Sequence, residues 1–202
     1  MVTAAMQSET STLAVPHTDN IAERIVPSRM AHIVYRCARR AETVDWYLKL
    51  FDAHVVFEDN VLTFISYDSE HHRLAFFNMP DIPAKGEDRA GVHHVAYTYG
   101  SLGDLLKTYI RLKPLGILPY WSINHGPTTS FYFRDPEGND VELQSDNGDD
   151  PGAYFHSEAF ANNPIGVEFD ADELVRLWQA GATEAELCVV GTAATGKSSF
   201  SL

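Results

Sequence analysis

The chain has 202 residues, 45% of them hydrophobic, enough to bury one substantial core but too few for two ordinary domains. Its formal net charge of −13 repels phosphate-bearing partners, which excludes nucleic acid and anionic membrane and leaves small molecules and other proteins. Cys37 and Cys188 alone make neither a disulfide framework nor a Cys-based zinc site, and without a leader-like start or a run of about 18 apolar residues a cytoplasmic protein is expected.

Residues 1–28 are rich in Ser, Thr and Ala without sustained periodicity, and are expected to form a flexible arm. From Ala31 to Cys37 apolar residues alternate with His32, Val34 and Arg36, the pattern of a half-buried strand. Val44, Tyr47, Leu48 and Phe51 then follow at helical spacing, and strands are predicted at His54 to Phe57, Leu62 to Tyr67 and Arg73 to Phe77. The unit is βαβββ.

After a linker over Pro80 to Ala90 the unit repeats. Val92-His93-His94-Val95-Ala96-Tyr97 echoes the first strand, and aligning His94 with His32 gives an offset of 94 − 32 = 62 residues. A helical stripe of Leu102, Leu105, Leu106 and Tyr109 ends before Pro114, and strands are predicted near Pro119 to Ile123, Thr129 to Phe133 and Asn139 to Leu143. An α+β fold follows, with modules at 29–80 and 91–145 pairing into one cupped sheet that has its helices outside. Residues 146–202 read as a C-terminal extension with one helix, started by Asp170 and striped by Leu174, Leu177 and Trp178, and a frayed tail. Gly191 to Ser198 matches the phosphate-loop pattern. With only four residues after Ser198, however, no helix follows to receive a phosphate, and the match is read as accidental.

The most informative stretch runs from His125 to Glu142. Asp135-Pro136-Glu137-Gly138 carries turn chemistry between two strands, and period-two alternation puts Asp140, Glu142 and Gln144 on one face with Val141 and Leu143 on the other. His125, Phe131-Tyr132, Asp135-Pro136, Gly138 and Glu142, in this order and spacing, resemble the signature of the type I extradiol ring-cleaving dioxygenases of the vicinal oxygen chelate superfamily. The resemblance covers about residues 29 to 145.

That resemblance implies a metal site of His32, His94 and Glu142. Two imidazoles and a carboxylate on one face leave open positions for a catechol and dioxygen on Fe(II) or Mn(II). His93 competes with His94, and the alignment to His32 favours His94. The last strand of module one offers neither the Glu nor the Gln that isomerases and lyases of the superfamily are expected to use as a fourth ligand. The resemblance further implies His72 as the acid/base group, with His71 the competing choice, Tyr132 as partner of a substrate hydroxyl, and His125 as its donor. Phe76, Phe77, Trp121 and Phe131 are candidate pocket walls. The expected activity is extradiol cleavage of a catecholic ring. The alternatives are a non-redox metal-dependent isomerase or lyase and a ligand-sequestering binding protein, and the resemblance also implies a homodimer.

Overall fold

The computed structural model describes residues 25–83, 85–86 and 90–196. Most of the expected arm lies outside these residues, as do Lys197 and Ser198 of the phosphate-loop match and the tail beyond them. Residues 25–31 belong to a unit of their own and contain no helix or strand.

Module one comprises β1 (Ile33–Cys37), α1 (Arg40–Phe51), β2 (His54–Glu58), β3 (Leu62–Ser66) and β4 (Leu74–Asn78). Module two repeats this as β5 (His94–Tyr99), α2 (Leu102–Leu112), β6 (Trp121–Asn124), β7 (Thr128–Arg134) and β8 (Asp140–Asp146). The expected eight strands are present, but hydrogen bonding divides them into two sheets, ordered β1-β4-β3-β2 and β5-β8-β7-β6-β9. One ladder does not run through both modules because β1 and β5, the strands that would join them, are each a sheet edge. In both modules the first strand pairs parallel with the last, the geometry that a helical crossover permits.

Alternation decides which side chains face the helices. Cys37, Tyr35, Leu74 and Phe76 of the first sheet and Phe131, Phe133, Val141 and Leu143 of the second meet α1 and α2 in one core cluster. Each large apolar side chain buried there is worth about 1.5–3 kcal/mol. Helix α1 buries Thr43, Val44, Tyr47 and Leu50, so its stripe is rotated from the one read in sequence, with Leu48 and Phe51 only half-buried. Phe76 and Phe131, candidate pocket walls, are fully buried core residues.

Module two completes the ends of α1, which has no side-chain cap of its own. At the N-terminus the Glu137 carboxylate accepts from Arg39 N at 2.5 Å and Thr43 Oγ1 at 3.3 Å, while Tyr47 donates to Asp135 Oδ2 at 3.2 Å. At the C-terminus the Arg111 guanidinium donates to the carbonyls of Lys49 and Leu50, at 2.6 and 2.9 Å. The β7–β8 turn is thus both a hairpin turn and a helix cap.

The C-terminal extension carries more structure than the single helix expected: α3 (Glu158–Asn162), β9 (Val167–Glu168), α4 (Ala171–Gln179) and α5 (Glu184–Leu187). Asp170 caps α4 by accepting from Glu173 N at 2.9 Å, while the Glu173 carboxylate accepts from Arg176. The two additional helices begin at recognisable caps, Ser157 for α3 and the capping box Thr183–Glu186 for α5. Both helices are too short to show a periodic stripe. Glu184 caps α2 by accepting from Gly103 N at 2.9 Å, and β9 adds an edge to the second sheet along β6.

Candidate active site

The site in module two is assembled by ladder register. Across β7–β8 Tyr132 stands opposite Glu142, and across β5–β8 Ala96 stands opposite Glu142, which places His94 on the same face two residues earlier. His94 Nε2 lies 3.0 Å from Glu142 Oε2, and the His94 ring meets Tyr132 edge-on at 5.4 Å. Glu142 is only 4% exposed. A carboxylate so buried requires a cationic or hydrogen-bonding partner. His93, just before β5, is exposed, and its Nδ1 sits 2.8 Å from Nδ1 of His94.

Tyr132 is the centre of a second set of contacts. Its hydroxyl lies 3.0 Å from His125 Nε2, and its ring packs against Trp121 at 4.8 Å. Burial, and then the Glu142 carboxylate beside it, push the Tyr132 phenol well above its ordinary range, so it stays protonated. Trp121, a candidate wall, is held by its indole N–H to Glu168 Oε1 of β9 at 2.8 Å. The hairpin turn below is rigid: Asp135 accepts from Asn139 N at 2.7 Å and Asn139 Nδ2 at 2.8 Å, and Gly138 takes φ 86°, as the turn requires. Burial raises the Asp135 carboxyl even against these hydrogen bonds.

The module-one histidines form a separate group. His72 stacks between Phe64 and His32, each ring 4.4 Å away, and its Nδ1 is 2.6 Å from Nδ1 of His71. Burial, and then the neighbouring His32 and His71, lower its pKa and favour the neutral imidazole. The sequence places His32 on the first strand, whereas pairing begins at Ile33, opposite Leu74, so His32 stands exposed one residue outside the ladder. His94, Glu142, Tyr132 and His125 are therefore brought together, and His32 is grouped with His71 and His72. Among the described residues no three His, Cys, Asp or Glu side chains gather to hold a metal.

The walls differ in chemistry. Register puts Val34, Phe64, Ala75, Leu62 and Phe77 on one face of the first sheet, a largely apolar surface that also carries the exposed Arg36 opposite Phe77. Phe77, a candidate wall, is 39% exposed on this face. Ile165, Gly166 and Glu168, which support His125 and Trp121, were not foreseen. The turn Asn163-Pro164-Ile165-Gly166 was their one local signal, and it does not say which loop it will meet.

Comparison with known proteins identifies the family. Residues 29–143 match the family described as the Glyoxalase/Bleomycin resistance protein/Dioxygenase superfamily. The chain is 44% identical over 157 residues to a protein of Rhodococcus globerulus named biphenyl-2,3-diol 1,2-dioxygenase 2, spanning 76% of this chain and 83% of that one. It is 39% identical over 167 residues to biphenyl-2,3-diol 1,2-dioxygenase 3 of the same organism, spanning 80% and 88%. Among solved structures, a glyoxylase/bleomycin resistance protein/dioxygenase domain from Frankia sp. EAN1pec shares the fold at a TM-score of 0.52 and 15% identity, covering 63% of this chain and 99% of that one.

Proposed function

The chain belongs to the glyoxalase/bleomycin resistance protein/dioxygenase superfamily, and we infer that it is an extradiol dioxygenase, opening a catecholic ring beside its paired hydroxyls with dioxygen. The observation that carries this reading is the set His94, Glu142 and Tyr132 on adjoining strands with His125 just past the end of β6, in a chain 44% identical to a biphenyl-2,3-diol 1,2-dioxygenase.

The metal would be Fe(II) or Mn(II), held by His94, Glu142 and His32. The donor chemistry fits in module two, where a buried carboxylate faces an imidazole nitrogen at 3.0 Å, a pair whose desolvation cost a divalent cation offsets. His32 would supply the third donor on leaving its stack with His72. The metal, when bound, would supply Lewis acidity toward the catechol hydroxyls and electron exchange with dioxygen.

The remaining tasks fall to the protein. Tyr132, with its pKa held high, would orient a substrate hydroxyl, and His125 would fix the direction of the Tyr132 O–H. His72, held neutral by its surroundings, is suited to accept and return a proton at neutral pH. The apolar side chains of Val34, Phe64 and Phe77, with the exposed Arg36 at their edge, would take an aryl substituent, which favours a biphenyl-2,3-diol-like substrate over a bare catechol. We also propose a homodimer, supported by edge strand β2, where Val55, Val56 and Phe57 are 44–47% exposed. The free Cys37 and Cys188 suit a reducing cytoplasm.

Anaerobically purified protein loaded with Fe(II) tests the reading. Oxygen uptake and a yellow ring-opened product are expected with biphenyl-2,3-diol and more weakly with catechol. Retention of zinc or nickel, with no oxygen uptake on any diol, would point to non-redox chemistry.

A further inference from the structure

The family match ends at residue 143, yet the C-terminal extension reaches into the site. His125 follows the end of β6, with Nε2 3.0 Å from the Tyr132 hydroxyl and Nδ1 2.5 Å from the Ile165 carbonyl oxygen. A carbonyl only accepts, so Nδ1 must carry hydrogen, and in the neutral ring Nε2 is then the acceptor. Tyr132 has one proton. If Nε2 takes it, the phenol oxygen turns its lone pairs outward. The Glu142 carboxylate across the ladder is also within hydrogen-bond reach of the Tyr132 hydroxyl, and in the other tautomer, with Nε2–H donating to the phenol, Glu142 would be the acceptor left for the phenol proton.

We propose that the segment Asn163–Gly166 is a positioning element that locks His125 in its Nδ1–H form and so makes Tyr132 a hydrogen-bond acceptor toward a substrate hydroxyl. This role rests on the dioxygenase reading. The segment is built for close approach. Gly166 has φ +110°, and a Cβ there would lie 2.2 Å from the Asn124 carbonyl oxygen and 2.6 Å from His125 Cα. Only glycine permits that contact. Asn163 shapes the loop from outside: its Oδ1 accepts from Ile165 N at 3.2 Å and Gly166 N at 3.0 Å, and its Nδ2 donates to Gly166 O at 2.7 Å. Immediately afterwards, Val167 pairs with Asn124 and Glu168 with Ile123, which fixes the loop against the residue preceding His125.

Two variants test this, since Gly166→Ala must displace backbone while the exposed Asn163→Ala leaves the core untouched. Ring ¹⁵N NMR of the full chain should show His125 as the Nδ1–H tautomer in the wild type and a shift toward Nε2–H in both variants. In Fe(II)-loaded enzyme, kcat should fall about ten- to a hundredfold, the range seen when groups orienting a functional histidine are removed, with KM changed less than about threefold. An Nε2–H signal in the wild type, or a tautomer change in Asn163→Ala that leaves kcat intact, would overturn the proposal. If the wild type cleaves no diol, the reaction and the acceptor role of Tyr132 fail together, whereas an Nδ1–H signal lost in Asn163→Ala still upholds the lock.

Discussion

Ala75 occupies in the first sheet the register position that Glu142 occupies in the second. Val34 pairs with Ala75 as Ala96 pairs with Glu142, and 96 − 34 = 62 is the offset of the internal repeat. A duplicated module could have carried a carboxylate at both positions. With a methyl group at one of them, only Glu142 offers a donor at these equivalent positions, an arrangement that would leave a metal with positions open for substrate and dioxygen.

Glu142→Ala and His94→Ala should each abolish Fe(II) retention through gel filtration while leaving the circular dichroism spectrum intact, because strands packed on the core hold the site. His32→Ala should do the same if His32 is the third donor. His93→Ala should keep most of its iron. Metal analysis by mass spectrometry checks all four, and full occupancy in Glu142→Ala would remove the metal assignment.

His72→Phe should preserve the stacked column of Phe64, residue 72 and His32 while removing the proton carrier. Anaerobic binding of biphenyl-2,3-diol, followed by absorbance, should be nearly unchanged. Turnover on admitting oxygen should fall by about 10² to 10⁴, the usual worth of positioned proton transfer. If His71→Phe shows this loss and His72→Phe does not, the role belongs to His71.

Asp135→Ala should destabilise the chain by about 2–4 kcal/mol, because it leaves the buried Tyr47 hydroxyl and two Asn139 groups without their acceptor. Urea titration should show a lower midpoint with a similar slope. A midpoint equal to wild type would mean that the β7–β8 turn does not help to join the modules.

ATP should give no saturable heat in calorimetry, in wild type or in Lys197→Ala. Residues 191–195 of the phosphate-loop match turn back to the strand region: Ala193 O accepts from Asp170 N at 2.9 Å, and Thr195 N donates to Glu168 O at 3.1 Å. Truncation after Gly196 should therefore leave ring cleavage intact. Removal from Gly191 onward should disturb Glu168 and, through it, Trp121.

The sequence by itself determined the two βαβββ modules, the faces of their strands and the family. These rest on short-range rules, on alternation, helical spacing and the chemistry of the Asp-Pro-Glu-Gly turn, and on a repeat that can be aligned by eye. The same rules put Tyr132 and Glu142 on one face, since a tight hairpin sets its own register. Tertiary structure alone decided where the histidines go and what supports them. His32 lies next to the strand that the pattern assigned it to, yet stacking on His72, a residue 40 positions away, places it with the other module-one histidines. The Ile165 carbonyl on His125 spans another 40 positions, and the Glu137 cap on Arg39 spans 98. A backbone carbonyl has no residue type to betray it, and a loop becomes a partner only when folding brings two surfaces together, so no local pattern could have announced either contact.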